Sequence, residues 1–424
     1  MNSGQERVFH AINSVSDDEI DHASTVHLAA NENLISNTAR RFLSSPLCCR
    51  HHEGGLETRK LSGRSADQNR FVFRALNGVY ELEKIAIESL NRQMESIEVD
   101  LRLSSGMHAM ISTILCATEL EDLVLSIAPQ DGGHFATRFV LLRSGRRSSY
   151  IPWDSDGIEL NFVGLRDLCS ESKVSAVYLD QGTPLYRIDL GKIREIIGPE
   201  ALLVYDASHT LGLIAGRQFQ SPLLEGADIL QGNTHKTYPG PQKALIAFQN
   251  RDFASRYRAR MSDGIVSNQH THHLLALFVA VLEMDEFGME FAAQMVRNAS
   301  SLFDHLRRRG HLLVARKSEP PCTHQVLIAS DDSDRNVLDA HFLNNVGIST
   351  NSRIAFRRPV IRIGLQEVTR RGMMENEMEE LGDIISVALR RDADQPKLRD
   401  RTWNLMSKFQ TCRYSFDESP FIRR

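Results

Sequence analysis

The chain has 424 residues, of which 42% are hydrophobic and 25% charged, with a formal net charge of −4. That length exceeds one compact core and predicts two or three domains of an ordinary globular enzyme. The weakly acidic balance offers no footing for nucleic acid or an anionic membrane, and no run approaches the roughly 20 apolar residues that span a bilayer.

Residues 1–27 are polar and mixed, with helical spacing in places. They predict an arm that packs on a partner subunit or, equally, a frayed terminus. The opening Met1-Asn2-Ser3-Gly4 has no apolar run of the kind a secretory leader carries. Leu28-Ala29-Ala30-Asn31-Glu32-Asn33 reads as a polar turn. In His51-His52-Glu53-Gly54-Gly55 the adjacent histidines point apart in helix or strand, so no metal is expected there. A long amphipathic helix is predicted over 69–97. An extended segment at 99–103 then runs into Ser104-Ser105-Gly106, and a helix opens at Met107. Free N–H groups at such a helix start suit an anion, although a plain helix cap has the same appearance.

Four further strands end in polar residues. The strand at 123–128 runs into Pro129-Gln130-Asp131-Gly132-Gly133-His134-Phe135. The strand at 174–179 meets Asp180-Gln181-Gly182-Thr183. After a helix at 190–197, the strand at 202–206 closes on Asp206, with His209 three residues on. Apolar runs at 227–230 and 244–248 flank a turn that carries Lys236. Alternating strands and helices with polar strand ends define an open α/β sheet with a ligand crevice at its C-terminal edge. A helical region at 273–310 follows, whose Phe291, Met295, Ala299, Leu302, Phe303 and Leu306 repeat at helical spacing and read as core. Beyond it come a strand (324–329), a helix (334–346), a strand (361–363) and a helix (376–390). Arg362 lies inside an apolar strand, where its charge needs a partner. The six cysteines form no Cys-x-x-Cys pair, so neither a zinc site nor a disulfide framework is expected, and reduced thiols suit a cytoplasmic location. The domains read as an N-terminal arm (1–27), a large domain (28–289) and a small C-terminal α/β domain (290–424).

A lysine and an aspartate at successive strand ends suit one chemistry. The amine can hold an aldehyde cofactor as a Schiff base, and the carboxylate can pair with a protonated pyridine nitrogen and make the ring an electron sink. By spacing alone, Lys236 is also the commoner thing, a surface lysine after a strand. However, Thr234-His235-Lys236-Thr237, with Asp206-x-x-His209 ahead of it, resembles the serine hydroxymethyltransferase family. Asn233-Thr234-His235-Lys236-Thr237 with Pro239-Gly240-Pro241, Ala30-Asn31-Glu32-Asn33 and Asp131-Gly132-Gly133-His134-Phe135-Ala136 is similar to the L-threonine transaldolase branch of antibiotic biosynthesis. The resemblance covers roughly residues 28–385.

This resemblance implies an α/β pyridoxal phosphate (PLP)-dependent transferase of fold type I. Its large domain has a mainly parallel seven-stranded sheet, and a smaller C-terminal α/β domain follows. Ser105, Gly106, Met107 and His235 would hold the cofactor, with Met107 where the family has a second serine. His134 would stack on the ring, Asp206 would pair with its nitrogen, His209 would orient it or the substrate, and Lys236 would bind it covalently. Glu53 would relay a proton near the substrate hydroxyl, while Asn31 and Arg362 would bind the amino-acid substrate, Arg362 through the α-carboxylate. The family's Tyr-Tyr-Gly-Gly is Lys60-Leu61-Ser62-Gly63 here, which points away from ordinary hydroxymethyl transfer. The implied reaction is retro-aldol cleavage of a β-hydroxy amino acid, L-threonine first, and transfer of the glycyl unit to another aldehyde. Folate-dependent serine or α-methylserine hydroxymethyl transfer is the alternative, with a simple threonine aldolase between the two. A homodimer sharing its active sites, with small-molecule substrates and no nucleic acid or membrane partner, is the implied assembly.

Overall fold

The computed structural model describes residues 3–52, 76–317, 319–391 and 394–419. An exposed helix, Ser3–Ser24, leads into a short strand β1 (Val26–His27). The first large-sheet strand, β2 (Glu98–Asp100), follows the helix Asn77–Met94. Then come β3 (Leu123–Ser126), β4 (Arg147–Tyr150), β5 (Ala176–Leu179), β6 (Leu202–Asp206), β7 (Ile229–Asn233) and β8 (Ala244–Phe248). Strands β3 and β5 through β8 are buried at nearly every position. That is the continuous apolar character a sheet needs when helices cover both faces.

These seven strands form one sheet in the order β2-β8-β7-β6-β5-β3-β4. Neighbours from β7 through β4 pair in parallel, whereas β8 runs antiparallel to both β7 and β2. Because β4 lies on one side of β3 and β5 on the other, the strand order reverses there and opens a crevice at the C-terminal strand ends. Two expected strands are trimmed, to Leu123–Ser126 and Ala176–Leu179. The described part of the helix expected over 69–97 starts at Asn77.

A 38-residue helix, Thr271–Arg308, follows, about 57 Å long at 1.5 Å per residue. Position 290 lies within it. Its Phe291 and Met295 join the core of the large sheet, and its Ala299, Leu302, Phe303 and Leu306 join a second core. The same helix therefore anchors both layers. The second layer contains β9 (Gln325–Ala329), β10 (Ile348–Ser349), β11 (Asn351–Ala355) and β12 (Arg358–Gly364). Strands β11, β12 and β9 make an antiparallel sheet in that order. The N-terminal strand β1 pairs in parallel with β10, and the Gly364 amide donates to the Leu28 carbonyl at 2.8 Å. Residues just after β1, Asn31 among them, are thereby delivered to the strand that bears Arg362. A buried ion pair, Arg370 to Glu283 at 2.6 Å, ties the small layer to the long helix.

Candidate active site

The crevice is a cleft of about 410 Å³ between the two layers. Nearly all of the predicted residues meet there: Asn31, Ser105, Gly106, Met107, His134, Asp206, His209, His235, Lys236 and Arg362. Glu53 lies outside the described residues.

Lys236 follows β7 in the turn toward β8. Its Nζ sits 3.0 Å from His209 Nε2, and the side-chain amide of Asn33 donates to its carbonyl at 2.5 Å. Burial lowers the Lys236 pKa to about 8, Arg362 and Arg353 push it the same way, and Asp206 opposes them. Burial also takes His209 well below its ordinary value, so the imidazole is neutral. Gln325 Nε2 lies 3.3 Å from His209 Nδ1 on the far side of the ring. With its pKa at about 8, Lys236 gives up its proton, and so becomes the nucleophilic free amine, far more readily than an exposed lysine.

Asp206 ends β6. Its Oδ1 accepts from the Ser208 amide at 2.9 Å, and its Oδ2 accepts from Gln231 Nε2 at 3.0 Å and the Tyr178 hydroxyl at 3.2 Å. Gln231 Nε2 also donates to the Tyr178 oxygen at 2.6 Å, and the Thr113 hydroxyl donates to Gln231 Oε1 at 2.6 Å. The carboxylate is thus aimed by a closed network, and a buried network of this kind holds one orientation only when every member is satisfied.

His134 is half-buried beside the cleft, and its Nδ1 accepts from the Ala136 amide at 3.3 Å. Burial lowers its pKa, which leaves a neutral ring with its proton on Nε2. The loop that carries it is pinned by Asp180, whose carboxylate accepts from the Ile127 amide (3.0 Å), the Thr137 hydroxyl (2.5 Å) and the His134 amide (3.4 Å). Gly133 passes so close to the preceding strand end that a Cβ would stand 2.1 Å from the Ile127 carbonyl oxygen.

The helix Gly106–Ala117 presents its N-terminus to the cleft. Not every N–H group of its first turn is free. Ser105 Oγ accepts the His108 amide at 3.1 Å, which leaves those of Gly106 and Met107. A Cβ on Gly106 would stand 3.0 Å from Asn233 Nδ2, so the small residue keeps the cup open.

Arg362 is 4% exposed. It donates to the Gly182 carbonyl at 2.7 Å, Asn31 Oδ1 at 2.5 Å and Asn351 Oδ1 at 3.0 Å, but its Nε has no partner. Burial, and then Arg353, lowers its pKa to about 9. A buried guanidinium held only by neutral acceptors lacks a counter-charge, and a bound carboxylate supplies one with matching fork geometry. Asn31 acts here by orienting Arg362.

Sequence reasoning missed Gln231, Tyr178, Arg353 and the buried His324, whose ring stacks 6.4 Å from that of His209. Gln231 is a lone amide inside an apolar strand, a usable signal because burying one demands a partner. Arg353 lies in β11, whose polar sequence carries no strand signal. His52 pairs with Glu83 at 2.8 Å. Away from the cleft, His22, His27 and Glu367 bring ligand atoms within 4.8 Å of one another, but Arg371 holds Glu367 at 2.9 Å.

A buried amine, a buried carboxylate, a helix N-terminus and a half-buried histidine lining one cleft suit a phosphorylated pyridine aldehyde. The orphaned Arg362 Nε and the lowered pKa of Lys236 fit the same assignment. The fold and site are those of a fold type I α/β enzyme that uses pyridoxal phosphate. The family model for serine hydroxymethyltransferase matches residues 3–385, and the chain belongs to that family. It is 35% identical over 404 residues to the fluorothreonine transaldolase of Streptantibioticus cattleyicolor, covering 95% of this chain and 63% of that protein's length. It is 34% identical over 408 residues to the serine hydroxymethyltransferase of Archaeoglobus fulgidus, covering 93% and 90% respectively. The crystal structure of L-threonine transaldolase from Pseudomonas fluorescens, in its internal aldimine state, superimposes with a TM-score of 0.88. That match has 26% identity and covers 99% of this chain and 96% of that one. Among the described residues no helix is long and apolar enough to cross a membrane.

Proposed function

We propose that this protein is a threonine transaldolase. It cleaves the Cα–Cβ bond of a β-hydroxy-α-amino acid, best L-threonine, and joins the glycyl unit to a second aldehyde. The observation that carries this reading is the pairing, in one cleft, of a buried amine whose pKa is lowered to about 8 (Lys236) with a buried arginine lacking a counter-ion (Arg362). Together they accept a carbonyl group and an amino-acid carboxylate. Pyridoxal phosphate, when bound, supplies an electron sink for the charge left on Cα.

The roles of the chain's own residues follow from their placement. Lys236 would hold the cofactor aldehyde. Gly106 and Met107 would donate to its phosphate at the helix start, with His235 in the same cleft. Asp206, aimed by Gln231 and Tyr178, would pair with the protonated pyridine nitrogen. His134 would cover the ring face, and His209, 3.0 Å from Lys236 Nζ, would orient the cofactor or the substrate. Arg362, oriented by Asn31, would grip the α-carboxylate. We assign the relay of the β-hydroxyl proton to Glu53. The exposed apolar side chains Val8, Ile12 and Val15 of the first helix suit a subunit contact in a homodimer.

Folate-dependent serine hydroxymethyl transfer is the second reading, favoured by the 90% coverage of the Archaeoglobus relative. Acetaldehyde release from L-threonine by the PLP-loaded protein, with and without an aromatic aldehyde, separates the two. Release coupled to a new β-hydroxy amino acid supports transaldolase, and release alone supports an aldolase. No release, with serine turning over only when tetrahydrofolate is added, overturns the proposal.

A further inference from the structure

A second arginine faces the cleft with nothing to neutralise it. Arg353 lies on β11, on the same strand face as Asn351, because alternate residues of a strand share a face. It donates to the Gly133 carbonyl at 3.2 Å and the Ile354 carbonyl at 3.3 Å. Among the described residues it has no carboxylate partner. Gly182 stands between the two guanidinium groups: its carbonyl accepts from Arg362, and a Cβ on it would stand 3.1 Å from Arg353 Nη1. Burial lowers the Arg353 pKa.

Arg353 also lines a second cavity of about 640 Å³ that adjoins the first. This cavity shares His134, Phe135 and Arg362 with the cleft but lacks the phosphate cup and Lys236. Its other walls include Pro129, Tyr150 and Ile354. Phe135 and Ile354 are exposed at its mouth. It is therefore a cavity of mixed polar and apolar lining that shares both guanidinium groups with the cleft, on the side away from the phosphate cup. One α-carboxylate neutralises Arg362. Arg353 is then left able to hold a second anion, which the adjoining cavity admits.

We propose that the acceptor aldehyde carries an anionic group, a carboxylate or a phosphate, and that Arg353 selects it. This inference rests on the transaldolase reading. The chemistry balances without a redox partner. The threonine Cα–Cβ bond breaks as the hydroxyl proton leaves and acetaldehyde departs. A Cα–C bond then forms to the acceptor's formyl carbon, and its oxygen takes up a proton. Arg353 is a specificity residue that holds the far end of the acceptor.

The test uses PLP-loaded enzyme, L-threonine and three acceptors of one shape: 4-formylbenzoate, 4-formylphenyl phosphate and neutral 4-methylbenzaldehyde. At least one anionic acceptor is expected to exceed the neutral one about tenfold in kcat/KM, and added salt to shrink the ratio. Which anion leads tells carboxylate from phosphate. R353Q is expected to erase the preference through acceptor KM, and R353K to restore part of it. Isothermal titration of 4-methylbenzoate against 4-methylbenzamide, with glycine saturating Arg362, provides a readout independent of turnover. Tighter binding of the benzoate by wild type than by R353Q is expected. Equal use of charged and neutral acceptors by the wild type overturns the proposal whether or not the variants fold. So does an R353Q enzyme whose threonine KM rises, in acceptor-free acetaldehyde release, while its acceptor ratio stays unchanged. That outcome places Arg353 on the donor carboxylate. Absence of acetaldehyde release under every condition removes the transaldolase reading, and this proposal falls with it.

Discussion

Replacing Arg362 with methionine should move stability and binding in opposite directions. A guanidinium whose pKa burial lowers to about 9 costs roughly 5 kcal/mol to keep charged at neutral pH, at about 1.4 kcal/mol per unit. Methionine removes that cost but leaves the Gly182 carbonyl, Asn31 and Asn351 without their donor, a loss of about 1 kcal/mol each. The substrate-free R362M protein should therefore be more stable than the wild type by about 2 kcal/mol. The folded pKa lies below the unfolded one. The penalty is thus fully present below pH 9 and is relieved as pH rises toward the unfolded value, so the comparison belongs near pH 7. Binding runs the other way. Breaking a buried charge pair costs about 3–5 kcal/mol, which is roughly 10²–10³ in kcat/KM for threonine. Urea melts of the apoprotein and initial-rate acetaldehyde release measure the two halves. An R362M apoprotein less stable than wild type by 2 kcal/mol or more, or a threonine kcat/KM within threefold of it, would refute the argument that this arginine waits for a carboxylate.

Lys236→Ala should abolish turnover and the visible absorption band of the PLP-loaded protein. Full turnover in that variant would sink the mechanism. Burial holds the Lys236 amine near pKa 8, so its free fraction falls from about half at pH 8 to about a tenth at pH 7 and a hundredth at pH 6. The rate at which apoprotein captures PLP, followed by absorbance, should fall in step. A flat rate between pH 6 and 8 contradicts the assignment. Gln231→Leu strips one donor from Asp206 and leaves the Thr113 hydroxyl with Tyr257 alone as a partner, at 3.2 Å. It should cost about 1–3 kcal/mol of stability and weaken PLP binding about tenfold. An unchanged PLP dissociation constant would mean that Asp206 needs no such aim.

Much of the site was legible in the sequence because its chemistry is local to strand ends. Asp206 closes an apolar run and Lys236 lies on the turn between two, so both stand where buried strands end at the crevice. Arg362 announced itself the same way, as a charge inside an apolar strand. Strands such as Leu202–Asp206 and Ala244–Phe248 were readable to the residue, since full burial demands an unbroken apolar run. What the sequence could not yield depends on pairing across distance. Strand β11 is too polar to read as a strand, and only its antiparallel register with β12, Asn351 opposite Arg362, reveals it. That register puts Arg353 into the cleft beside an arginine nine residues away in sequence. The Gln231–Tyr178–Asp206 network likewise joins three parallel strands whose order no local pattern encodes. Composition and periodicity therefore determine which residues are buried and which strand ends carry chemistry. Which charges meet, and which are left without a counter-ion for a ligand to supply, is decided by the sheet's order and by the packing of the two layers around one long helix.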